Sequence, residues 1–170
     1  MRHEKGVKKQ KANALGILPL HLILVCHFIK KEWSLSDRKH GPYRHFTLVK
    51  DLQASGLALL KVLKRLPALK QWITGIDAAD NELNARPEFF APAFRMCANF
   101  GLTHKTMHAG EDFPHLLCGL AYMYDTMFFL ELSDGDRIGH GTAMGIDPSL
   151  WIRRMPQQVL VKRGEWFLSL

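Results

Sequence analysis

One pattern recurs three times along the chain: an apolar stretch that ends on ionisable residues, then a turn, then an apolar helical segment. "WITGIDA" ends at Ala79, "LTHKTMH" ends at His108 and "RIGH" ends at His140. The ends lie roughly thirty residues apart, the length of a strand-plus-helix unit whose strands run parallel. Two-residue hairpins cannot generate that spacing, so the expectation is an α/β fold with a parallel sheet. Both an open doubly wound sheet and an eight-stranded barrel are built this way, and both place chemistry at the carboxyl ends of their strands.

The punctuation between strands supports the reading. An earlier strand is expected near Ile23 to Phe28, followed by the polar, basic loop "KKEWSLSDRKHGPYRH". In "FTLVKDLQASGLALLKVLKRL", Leu48, Leu52, Leu59, Leu63 and Leu66 fall near one helical face, and Pro67 closes the helix. A second helix is expected through "PEFFAPAFRMCANF" up to Gly101, and a third through "FPHLLCGLAYMYDTMFFLEL" with Asp112 as its cap. Asp147 followed by Pro148 marks another helix start, and "VLVKRGEWFLSL" is expected to begin a further strand.

Composition narrows the setting. A chain of 170 residues with 47% hydrophobic content buries one sizeable core. Its net charge of +7 is uneven, with basic flanks and an acidic middle that holds the strand ends. Cys26, Cys97 and Cys118 are widely spaced and form no CxxC pair, which disfavours a disulfide framework and points to a reducing cytoplasm. The order of a basic stretch then "ANALGILPLHLILVCHFI" imitates a secretory signal, but Asn13, Pro19, His21 and His27 interrupt it and no small-residue cleavage site follows. No membrane span is expected. Residues 1–16 are expected to be a basic flexible arm and 17–170 the folded domain.

Asp77, Asp80, Glu82, His108, Glu111 and His140 all lie at or just after strand ends. A neutral imidazole at His108 is a zinc ligand by chemistry, and zinc lowers the pKa of bound water toward neutrality. Glu111 is placed to give a proton to an atom gaining charge, and His140 to orient the attacking water or take its proton. Gly110 leaves room for a substrate to approach the backbone. The alternative is structural: Glu111 and Asp112 as helix N-terminal carboxylates, and the histidines as hydrogen-bonded scaffold. His104, on the same side of its strand as Thr106 and His108, is expected to be structural or to support the site from behind, and His21, His27, His40, His45 and His115 show no ligand spacing and receive no role.

"MHAGE" at 107–111 and "DRIGHG" at 136–141 resemble two signature motifs of the adenosine deaminase family. "GIDAADNE" at 75–82 and "LILVCHFIKKEWS" at 22–34 are similar to the preceding strands of that family. The resemblance implies a (β/α)8 TIM-type barrel, here partial and covering about four to five central βα units. It implies zinc-dependent hydrolytic deamination of adenosine or an adenine nucleotide to the inosine form. His108 would then be a Zn2+ ligand, Glu111 would protonate the purine ring nitrogen, and His140 would hold and activate the zinc-bound water. Asp80 stands where the family carries a glycine whose backbone contacts the purine, which makes it a substrate-binding position.

The His-x-His and Asp-Asp pairs that supply the family's other metal ligands do not occur in this sequence. By itself the chain is therefore expected to hold zinc below stoichiometry and to turn over little substrate. It reads as a fragment of a larger enzyme, completed by a complementing chain or a homo-oligomer. The alternative function is a truncated, catalytically inactive fragment, or a nucleotide- or RNA-binding remnant, with Lys30, Lys31, Arg38, Lys39 and Arg44 of the 30–45 loop meeting phosphate. A different hydrolysis on the same scaffold is a third reading.

Overall fold

The computed structural model describes residues 22–156, 158–161 and 163–168. The arm expected at 1–16 lies outside them. Four strands, β1 (Leu24–Ile29), β2 (Ile73–Ala79), β3 (His104–Ala109) and β4 (Arg137–His140), form one sheet in the order β1-β2-β3-β4. Every neighbouring pair is parallel. The α/β expectation therefore holds as a four-stranded all-parallel sheet.

The helices are α1 (Phe46–Arg65), α2 (Ala91–Asn99), α3 (Leu116–Phe129), α4 (Thr142–Gly145), α5 (Pro148–Arg154) and α6 (Arg163–Leu168). Helix α1 forms where the leucine period placed it. It buries Leu48, Leu52 and Leu63 together with Gly56, while Leu66 caps its end and is exposed. Helix α2 accommodates Pro92 because the proline sits in its first turn, where no intrahelical N–H is required.

Two expectations are corrected. Asp112 does not cap α3; that helix starts later, and its N-cap is His115, whose side chain accepts from the Leu117 N–H at 3.2 Å. Asp112 is held instead by its own backbone, as described below. Among the described residues of 159–170 the expected strand does not form: Arg163–Leu168 is helical. That stretch, "RGEWFL", has no β-branched residue to favour an extended backbone.

Strand alternation sorts the sheet into two unlike faces. Phe28, Ile76, Ala78, Met107 and Ala109 share one face and are buried in a core with Leu48, Leu52, Leu63, Phe94, Cys97 and Met123 from the helices. Val25, His27 and Ile29 on β1, Asp77 on β2 and Thr106 and His108 on β3 share the other. The helices contribute their buried side chains to the core on the first face, and Val25, His27 and Ile29 are exposed on the second. No helix of the described residues is long and apolar enough to cross a membrane.

Candidate functional site

The carboxyl edge of β1 to β4 gathers the ionisable residues into one chain of contacts. Asp77 is the buried centre, 2% exposed at the end of β2. Register pairs it with His27 of β1, and the His27 Nδ1 lies 2.8 Å from Asp77 Oδ2. From the other side His108 Nε2 lies 3.4 Å from the same oxygen. The second oxygen, Asp77 Oδ1, is buried and has no hydrogen-bond partner among the described residues.

His108 continues the line outward. Its ring meets the His140 ring edge-on, with centroids 5.1 Å apart and planes at 73°. His140 Nε2 lies 3.2 Å from Glu111 Oε2. The expected trio of His108, Glu111 and His140 is thus assembled at one rim, the outer pair open to solvent.

Glycines make this approach fit. Gly139 pairs with His108 across β3 and β4, and a Cβ built there would stand 2.7 Å from His108 Cδ2. Only glycine lets the imidazole lie flat against the neighbouring strand. Gly110 has φ +73°, and its missing Cβ would strike Met123 Sδ at 2.6 Å. The room it leaves on that side is filled by Met123.

Asp80 follows the end of β2 with φ +93°, backbone that glycine adopts freely and aspartate does not. Its Oδ1 accepts from the Asn81 N–H at 2.6 Å, which helps hold the turn. Strain at a rim position is a recurrent mark of function.

Two charges lie beneath the rim. Lys30 is fully buried, and its ammonium donates to the His108 carbonyl. Burial pulls it down to about 8, against the raising influence of Glu82, Asp77, Glu111 and Asp80. Glu82 is 4% exposed, and its Oε1 accepts from the Asp112 N–H at 3.0 Å. Burial pushes the Glu82 carboxyl up, opposed by the Glu111 backbone N–H and by Lys30.

The phosphate reading of the 30–45 loop loses one of its cations to the interior, and a second is ion-paired at the surface. Lys30 is inside the protein, and Lys31 Nζ lies 2.7 Å from Asp51 Oδ2. Arg44 stacks over the Trp33 ring at 5.3 Å.

A catalytic zinc takes three protein ligands and keeps one position open. His27 and His108 both address a single oxygen of Asp77, the arrangement of two imidazoles on a shared acceptor. Among the described residues no group of three His, Cys, Asp or Glu side chains is arranged to hold a metal ion. The donor set assembled here does not fit zinc without further ligands.

No protein-family model matches the chain, and no curated protein matches it. The functional reading therefore stands on the rim itself.

His27 is the site residue that sequence spacing missed. Its signal was strand alternation: two residues before Ile29, it had to share the open face with the strand-end aspartate of β2.

Proposed function

We propose that the carboxyl edge of the sheet is a hydrolytic deaminase site of the adenosine deaminase type, acting on adenosine or an adenine nucleotide. The observation that carries the reading is the Glu111–His140 pair beside His108, three residues from two motifs that the spacing of the βα units brings to one rim. The consecutive order β1-β2-β3-β4, with helices on one face, is the order of successive strands in a (β/α)8 barrel and supports that architecture. Were zinc bound with further ligands from outside the described residues, His108 would be the ligand this chain contributes and the ion would supply hydroxide at neutral pH.

The residues of this chain divide the proton work. A water adding to the purine carbon that bears the amine must lose a proton, and His140 Nε2 is the acceptor open to solvent at the rim. Charge then builds on the adjacent ring nitrogen, and the Glu111 carboxyl is the group placed to deliver a proton to it. His140 then passes the water's proton to the amine; the C–N bond breaks, the added hydroxyl gives its remaining proton to Glu111 as the carbonyl forms, and ammonia leaves. Asp77, between His27 and His108, keeps the imidazole of His108 turned toward the rim.

The binding half of this proposal is tested by titrating the protein with adenosine and with AMP while following backbone amide resonances. Saturable shifts at Gly110, Glu111 and Gly141, weakened in Glu111→Gln, are expected. Shifts confined to the 30–45 loop would favour the nucleotide- or RNA-binding alternative and overturn the assignment of the rim.

A further inference from the structure

We infer that Lys30 and Glu82 are positioning residues, two buried side chains of opposite charge that each fasten backbone of the strand end carrying His108 and Glu111 from beneath. The proposal concerns the site assigned above and rests on that reading for its catalytic consequence.

The geometry is specific to this place. Lys30 follows β1, and strand alternation turns it to the same side as Phe28, under the sheet and away from solvent. A lysine there has no water to solvate it, so its ammonium must find protein acceptors. It finds the carbonyl of His108 and the π face of Tyr122, 5.5 Å from the ring centroid. The Lys30 carbonyl in turn accepts from Asn84 Nδ2 at 3.0 Å, tying it to the loop after β2.

Glu82 comes from that same loop. Its carboxylate accepts from the Asp112 N–H, so it fastens the turn that carries Glu111. Its other oxygen, Oε2, is buried and has no hydrogen-bond partner among the described residues. Three successive strand ends are thereby tied together by two side chains. Lys30 reaches from β1 to the carbonyl of His108, and Glu82 reaches from the end of β2 to the turn after β3.

A core that needed only packing would fill this space with apolar side chains of similar volume, which proteins tolerate well. Two buried charges cost desolvation and return direction. Here the direction is set on the backbone of His108 and of Asp112, one residue after Glu111, whose side chains share the rim with His140. A shift of about 1 Å in such groups is enough to lower a rate roughly 100-fold.

The test is amide hydrogen exchange and histidine imidazole resonances in wild type, Lys30→Met, Glu82→Gln and the double variant. Exchange at Glu111 and Asp112 is expected to accelerate at least tenfold in each single variant, and the His108 imidazole resonances to move. Exchange in α2 should stay as in wild type. The double variant, which removes both charges, is expected to melt closer to wild type than either single variant while His108 stays displaced. Unchanged exchange at 111 and 112, or uniform loosening of the whole sheet, would overturn the proposal.

Should Lys30→Met fail to fold, Glu82→Gln still decides. Glutamine keeps an acceptor for the Asp112 N–H but loses the charge, and the Asp112 amide proton is expected upfield of its wild-type position; no change there refutes the role. With adenosine as substrate, both single variants should lower kcat roughly 10- to 100-fold with little change in KM. Absence of turnover in wild type would count against the deaminase reading and leave the exchange result to judge this one.

Discussion

Gly139→Ala places one methyl group where the strand must leave none. The added Cβ would stand 2.7 Å from Cδ2, 3.0 Å from Cγ and 3.2 Å from Nε2 of His108. Carbon atoms in contact settle at roughly 3.5–4.0 Å, so the ring has to retreat by about 1 Å. It is one-third exposed and can yield, which puts the cost near the low end of overpacking, about 1–2 kcal/mol. For a chain of this length that lowers Tm by roughly 2–8 °C.

Retreat also breaks the line from Asp77 to His140. Urea denaturation and the imidazole resonances of His108 and His140 report both effects at once. Gly145→Ala is the control, because nothing lies within 4 Å of a Cβ there. A Gly139→Ala protein with wild-type stability and unmoved His108 resonances would refute the account of how the rim is built.

Other perturbations test separate pieces. Asp80→Gly, which relieves the positive φ, is expected to gain roughly 0.5–1 kcal/mol in urea denaturation; a loss would mean the Asp80 side chain contributes more than its strained backbone costs. Arg86 holds Asp125 and, at 3.1 Å, Glu88, so Arg86→Met is expected to cost roughly 1–3 kcal/mol at neutral pH. Burial pushes the Asp125 carboxyl up, so that cost should shrink as the pH falls into the carboxyl range.

Burial also raises the Cys97 thiol from 9.0 to about 11. Its folded value lies above its unfolded one, so its contribution to stability is full below about pH 9 and fades as the pH rises through about 11. The loss amounts to at most about 3 kcal/mol. Cys97→Ala should flatten that part of the stability profile, and native Cys97 should resist alkylation at pH 8 while Cys26, which is only half-buried, reacts faster. Metal analysis of the purified chain is expected to return zinc well below one equivalent, and stoichiometric zinc retained through dialysis would overturn the reading of the donor set.

Much of this was legible in the sequence because local rules governed it. The leucine period of α1 and the Asp147-Pro148 start of α5 were set by contacts within a few residues. Asp147 accepts from the Ser149 N–H at 2.7 Å, as its position implied. The spacing of Ala79, His108 and His140 revealed parallel strands because a crossover helix has a fixed length. Asp112 is no cap because the helix begins only at Leu116, and the turn before it is held by Glu82, thirty residues away, a partner that no local pattern announces.

Lys30 was misread for a related reason. Within "IKKEW" it looks like one basic surface residue among several, and only the alternation from Phe28 places it inside. His27 on an edge strand had no sequence neighbour to suggest a ligand, and register alone set it against Asp77. Side chains whose partners come from another βα unit are the part of a site that spacing along one strand cannot supply.

The most direct test of the central claim is product formation from adenosine and AMP in zinc-supplemented buffer, with inosine and IMP separated chromatographically. Slow conversion above the spontaneous rate, abolished in Glu111→Gln and reduced in His140→Ala, is the result the account predicts. No conversion, or equal conversion by wild type and Glu111→Gln, would contradict it.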